Sequence, residues 1–127
     1  MKDVVIETDR FLLRSLIEID VDGHYLGWLN GPNKSQYIEY SSQEHSIEEI
    51  QNYISQRIDD DSVMFLGIFI RESGNHIGNI KYEPIDYRNL VATMGILVGE
   101  STWRGKGVAC EVIKASAKFL KKTYGIK

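Results

Sequence analysis

The sequence holds one cysteine, Cys110, and two prolines, Pro32 and Pro84. A lone cysteine leaves no partner for an intrachain disulfide, which fits a reducing compartment. A chain of 127 residues does not need one, because folding at this size buries roughly two-thirds of the unfolded surface in a single core. No apolar run approaches the roughly 20 residues of a membrane span, and the opening Met-Lys-Asp-Val-Val-Ile-Glu lacks the apolar stretch of a secretion signal. These absences read as a cytoplasmic protein. A net charge of -3 supplies no broad attraction to nucleic acid or to an anionic membrane, so neither is expected as a partner. The three histidines, His24, His45 and His76, have no metal-ligand spacing, and no Ser or Cys stands in a triad relation to them. No metal is expected.

Repeats, low-complexity tracts and Pro/Gly/Ser linkers are also missing, so residues 1–127 read as one domain. Within it, elements of the two periods alternate. Val4 to Leu16 reads as a strand with a bend or bulge at Glu7-Thr-Asp-Arg10, and Asp20 is placed to cap a short helix reaching Leu29. Ser46-Ile-Glu-Glu49 fits a capping box, and Ile47, Ile50, Ile54 and Ile58 put an apolar face on the helix that follows. Val63 to Ile70 is apolar enough for a strand buried on both faces, with Ser73-Gly-Asn75 turning it into Ile77 to Tyr82 as a hairpin. Leu90 to Val98 reads as a further strand. Val108 to Tyr124 reads as an amphipathic helix with Ala109, Ile113, Ala117, Leu120 and Tyr124 inward, lysines outward and Gly125 past its end. Cys110, just inside that helix, reads as a small buried residue.

The chemistry sits where the last strand meets the last helix. Gly95-Ile-Leu-Val-Gly99 leads through Glu-Ser-Thr-Trp into Arg104-Gly-Lys-Gly107-Val-Ala109. Gly105 and Gly107 let backbone amides reach a ligand with no Cβ in the way, and the helix start adds unpaired N–H groups and partial positive charge. A diphosphate suits that description, with Arg104 and Lys106 adding charge at its rim. Taken alone, a Gly-x-Gly is equally a flexible turn, and the two cations a solvated one. Nucleotide motifs of the Gly-x-x-x-x-Gly-Lys-Ser/Thr or Gly-x-Gly-x-x-Gly type are absent.

In context the turn matches the Arg/Gln-x-x-Gly-x-Gly/Ala pattern of GNAT (GCN5-related) N-acetyltransferases. Thr8-Asp-Arg-Phe-Leu-Leu-Arg14 resembles the first strand of that family, Trp28-Leu-Asn30 the end of its first helix and His76-Ile-Gly-Asn-Ile80 its third strand, so the likeness covers essentially the whole chain. It is nearest the branch of ribosomal-protein N-terminal and amino-sugar acetyltransferases.

The resemblance implies an α/β (α+β) fold, with a mixed, mostly antiparallel central sheet flanked by helices. It implies acetyl-CoA as cosubstrate and a primary amine as acceptor: a peptide N-terminus, an amino sugar or a small amine. The strand before the turn would be bulged and splayed, with Ile96, Leu97 and Val98 along the pantetheine arm; the same three also suit a core strand. Arg104, Gly105, Lys106, Gly107, Val108 and Ala109 would take the diphosphate. A backbone amide near Leu97 would meet the developing oxyanion.

Many relatives carry a glutamate in an Ala-Glu-Ile-Gly-like stretch as base, where this sequence has Ala92-Thr-Met-Gly95. Thr93 cannot replace it, since an unactivated hydroxyl is far too weak a base. Glu83 or Glu39 would be the substitute, or each is an ordinary surface carboxylate, so the catalytic residues stay unassigned. Trp28 and Tyr40 would line an acceptor pocket or pack the core. The resemblance further implies a C-terminally truncated domain, since the family's domain continues past a helix such as Val108 to Tyr124. The open edge of Gly95 to Gly99 would then favour a homodimer. The alternative function is a CoA-binding or protein-interaction module without turnover.

Overall fold

The computed structural model describes residues 1, 3–22, 25, 27, 28 and 46–126. Among these, five strands form one sheet in sequence order: β1 (Val5–Glu7), β2 (Phe11–Ser15), β3 (Met64–Ile70), β4 (His76–Asp86) and β5 (Val91–Val98). Each pairs antiparallel with the next, and no parallel pair occurs among them. Two helices, α1 (Ile47–Ile58) and α2 (Val108–Tyr124), and short 3-10 turns at Glu18–Asp20 and Ser101–Trp103 complete the described elements.

The sheet separates two cores. On one face Val108, Val112 and Leu120 of α2 pack with Phe11, Leu13, Leu66, Ile80 and Tyr82. On the other, Ile50 and Ile54 of α1 meet Leu16, Tyr25, Trp28, Val63, Phe65 and Leu97. Strand β3 runs between the two and is buried through six of its seven residues, as its apolar sequence requires. Ser46 caps α1 by accepting the Glu49 N–H at 3.1 Å, and Ile50 and Ile54 are its buried residues. Gly125, in the left-handed region at φ 75°, closes α2 by donating its N–H to Lys121 O at 2.9 Å.

Four expectations need correction. The polar interruption in Val4 to Leu16 is a hairpin turn, not a bend: Thr8 Oγ1 accepts the Phe11 N–H at 3.0 Å, and the chain reverses there so that Glu7 pairs with Leu12. Asp20 does not cap the first helix. It accepts a two-pronged pair of bonds from Arg14 and one from the Ile17 N–H, while Asp22 Oδ1 takes the Tyr25 N–H at 2.9 Å ahead of the helical residues Tyr25, Gly27 and Trp28.

The inward stripe of α2 is Val108, Val112, Ser116 and Leu120, with Ala117 and Tyr124 exposed. Ser116 is fully buried because its hydroxyl bonds Val112 O at 2.7 Å and Tyr82 Oη at 2.8 Å, satisfying its polarity inside the core. With the stripe so placed, Cys110 turns outward and is exposed, against the buried reading. The rest of the first helix, the loop from Gly31 to Gln43, Glu39, Tyr40, His24 and His45 lie outside the described residues.

Candidate cofactor-binding site

Among the described residues, strand β5 pairs on one side, with β4. Its register with β4 is unbroken from Met94 to Val98, so the bulge expected in this strand is absent from that stretch. Two irregularities flank it instead. The N–H groups of Gly99 and Glu100 both donate to Ile77 O, at 2.8 and 3.2 Å, which kinks the chain as it leaves the strand. On β4 the register shifts between Tyr82, opposite Met94, and Ile85, opposite Ala92.

Because the Gly99 N–H points to β4, the alternation of an antiparallel ladder turns the Leu97 and Gly95 amides to β4 as well and those of Ile96 and Val98 to the open edge. The side chains alternate too. Ile96 and Val98 are half-buried towards α2, and Leu97 is buried against the α1-side core. An amide available to a ligand at this edge therefore belongs to Ile96 or Val98, not to Leu97.

Beyond the kink, Ser101–Trp103 makes one 3-10 turn and residues 104–107 carry the chain into α2. Gly105 and Gly107 sit at φ 75° and 77°, conformations that cost a side-chain-bearing residue roughly 1–2 kcal/mol. Among the described residues, a Cβ on Gly105 would meet no atom within 4 Å. The first bond running back from α2 is Glu111 N–H to Gly107 O at 3.1 Å, leaving the amides of Val108, Ala109 and Cys110 as first-turn donors. Arg104, Gly105, Lys106 and Gly107 are exposed, Ala109 is half-buried, and the Val108 side chain is in the core, so only its amide can serve a ligand. Arg104 folds back: its Nε donates to Val98 O at 3.0 Å and its Nη2 to Gly99 O at 3.4 Å, tying the turn to the end of β5.

The turn has a second tie, which sequence reasoning missed. Arg10, in the β1–β2 turn, donates through Nη1 to Lys106 O at 3.0 Å and through Nε to Glu111 Oε1 at 2.7 Å. Glu111 Oε2 takes the Arg10 N–H at 3.1 Å and the Thr8 hydroxyl at 2.5 Å. Burial opposes the charge on Glu111, but these bonds from Thr8 and Arg10 outweigh it and hold the carboxyl below its usual pKa. A carboxylate in the first turn of α2 would repel a phosphate, and here it is spent on Arg10. The partners are about a hundred residues apart, and only the acid beside a glycine turn hinted at a need for compensation. Trp103 completes this corner by packing edge-on to Phe11, with ring centroids 5.5 Å apart.

Behind the turn lies a cavity of about 370 Å³ lined by Asp22, Ile70, Asn75, His76, Ile77, Glu100, Thr102 and Trp103. Its two carboxylates make it a poor seat for a diphosphate. His76 is held in an aromatic nest, stacked on Phe69 at 4.6 Å and edge-on to Trp28 at 4.9 Å, with Nε2 2.7 Å from Asn79 Oδ1. Trp28 lies so close on Gly99 that a Cβ there would come within 2.1 Å of its ring. Of its two readings, core packing describes Trp28. No group of three or more His, Cys, Asp or Glu suited to a metal ion occurs among the described residues.

A five-stranded antiparallel sheet with a helix packed on either face, and a glycine turn leading from its last strand into a helix, define an α/β protein. The sequence matches the description "Acetyltransferase (GNAT) domain" over residues 10–127, and the chain belongs to this acetyltransferase family. No curated protein matches it.

Solved structures similar to it include a Vibrio cholerae protein assigned as a ribosomal-protein-serine acetyltransferase (TM-score 0.80, 18% identity, 99% of this chain and 72% of that one). A Salmonella typhimurium acetyltransferase that modifies the N-terminal serine of ribosomal protein L7/L12 gives 0.79 and 19%, over 95% and 70%. Spermidine N-acetyltransferase from Vibrio cholerae, in complex with CoA and spermine, gives 0.76 and 21%, over 94% and 68%. Identities this low carry the fold alone. No helix among the described residues is long and apolar enough to cross a membrane.

Proposed function

We propose that this N-acetyltransferase binds acetyl-CoA with its diphosphate on the amides of Gly105 to Ala109 and its pantetheine arm along the open edge of β5, and transfers the acetyl group to a primary amine. The observation that carries this reading is the turn itself. Two glycines in the left-handed region precede three first-turn amides, the first-turn acid Glu111 is neutralised by Arg10, and the Ile96 and Val98 amides face the adjoining edge. Lys106 is exposed at the rim, where its ammonium would add attraction to the phosphates.

The acceptor is a peptide amino terminus or a small amine. The similar structures act on a ribosomal protein's N-terminal serine and on spermidine, and both reactions need an unprotonated amine beside a thioester carbonyl. Acetyl-CoA should bind this chain, and a panel of peptide amino termini, polyamines and amino sugars should release CoA thiol from it. Binding without release from any amine would favour the module without turnover. Equal binding by the chain and by its Arg104→Ala/Gly107→Glu variant would sink the proposed site. A second copy pairing along β5 would compete with the pantetheine arm, so any dimer seen by light scattering should dissociate as acetyl-CoA is added.

A further inference from the structure

Thr93 has no basic side chain, yet a carboxylate lies directly across the ladder. The register shift between Tyr82 and Ile85 puts Glu83 and Pro84 opposite Thr93 alone. Alternation puts Thr93 and Gly95 on the same face as Leu97, which packs in the α1-side core. Lys81 shares that face, since its partner across β3 is Phe65 of the same core. Helix α1 reaches this patch with Tyr53 and Arg57.

Their contacts fix Glu83 from one side. Arg57 Nε reaches Oε1 at 3.0 Å and Lys81 Nζ approaches the same oxygen at 3.7 Å. Arg57 Cζ sits over the Tyr53 ring, 3.5 Å from its centroid, and Lys81 also donates to the Tyr53 hydroxyl. Glu83 retains 29% side-chain exposure, within reach of a solute. Among the described residues, a Cβ on Gly95, the residue opposite Lys81, would meet nothing within 4 Å.

We infer that Glu83 is the catalytic residue that takes the proton from the acceptor amine, with Arg57, Lys81 and Tyr53 as the positioning residues that hold it; this rests on the acetyl-transfer reading above. The acceptor arrives as an ammonium, and Glu83 Oε2 accepts one proton from it, directly or through one water. The neutral amine attacks the acetyl carbonyl, forming the C–N bond. As the C–S bond breaks, the electron pair leaves with sulfur, and the second N–H proton passes through solvent to the thiolate. Glu83 returns its own proton to water, so the products are the acetamide, CoA thiol and one released proton. The sequence offers Glu83 and Glu39 alike, because Glu83 and Thr93 are ten positions apart and become neighbours only through a two-against-one register.

The test is steady-state CoA release and acetyl-CoA binding by the chain, by Glu83→Gln and by Glu83→Gln/Thr93→Glu. Glu83→Gln should lower kcat by about 100-fold or more, the usual range for loss of a general base, with acetyl-CoA affinity unchanged. Returning a carboxylate on the facing strand should restore at least about a tenth of the lost rate. Should Glu83→Gln fail to fold, Glu83→Asp keeps a charge for Arg57 while withdrawing the oxygens by one methylene, and should show the same split between kcat and binding. A kcat within about threefold of the parent, or a loss of acetyl-CoA affinity in step with kcat, would overturn the assignment while leaving acetyl transfer standing. No CoA release by the parent chain from any amine would overturn both.

Discussion

The cofactor turn and the patch around Glu83 lie near opposite ends of β5 and are built by opposite means. At the turn the backbone faces the ligand, and the side chains of Arg10, Arg104 and Glu111 are spent on holding it in place. At the patch a register shift sets Glu83 across from Thr93, and the side chains of Arg57 and Lys81 hold its carboxylate. The two regions should therefore fail under different substitutions: the turn when a glycine acquires a side chain, the patch when one functional group is exchanged for another of the same shape.

The largest effect that would break this contrast is at Gly107. With φ at 77°, a glutamate there adds strain and places a negative charge among the first-turn amides. Acetyl-CoA affinity should fall at least about 100-fold, close to 3 kcal/mol, by titration calorimetry. Arg104→Ala by comparison should cost less than about tenfold, because its guanidinium bonds two carbonyls of its own chain. If Arg104→Ala proved the more damaging of the two, the turn would be a side-chain site after all.

A smaller effect sharpens the view that Glu111 is a strut. Glu111→Gln should destabilise the fold by about 1–3 kcal/mol in chemical denaturation, since the Arg10 guanidinium and the Thr8 hydroxyl lose a charged acceptor. Acetyl-CoA affinity should fall only modestly. The strut is also acid-sensitive: its carboxyl is held below the usual pKa, so its contribution is complete above the unfolded-state value and is lost as the pH falls through the folded one.

The same contrast explains what could be read before any coordinates. The glycine turn was legible because anion binding by amides is local: a strand, two glycines and a helix start lie within about fifteen residues. Strands β3, β4 and β5 and helix α1 were legible from period and caps. Ser116 was not, because a serine joins a core only when a distant partner such as Tyr82 satisfies it. The hairpin at Thr8–Arg10 was hidden because a turn and a bulge both interrupt an apolar run with polar residues. Arg10 meets Glu111 through the docking of α2, and Glu83 faces Thr93 through register, and composition and spacing along one chain contain neither.

The smallest expected effect concerns the aromatic nest on the α1 face, beyond either region. Burial pushes the His76 imidazole below its ordinary pKa of 6.5, partly opposed by its bond to Asn79. A histidine that binds its proton less readily when folded leaves the protein fully stable above the unfolded-state pKa. Stability then declines as the pH drops below 6.5 towards the folded value, because the unfolded chain takes up a proton that the folded one refuses. His76→Phe keeps a ring against Phe69 and Trp28 but removes that titration. Its melting temperature should be lower at pH 7, since Asn79 loses the partner of its Oδ1, and should fall less between pH 7 and pH 5 than that of the parent. An unchanged slope would place the acid sensitivity wholly at Glu111 and the other carboxylates, and would leave the nest a packing device without a titrating role.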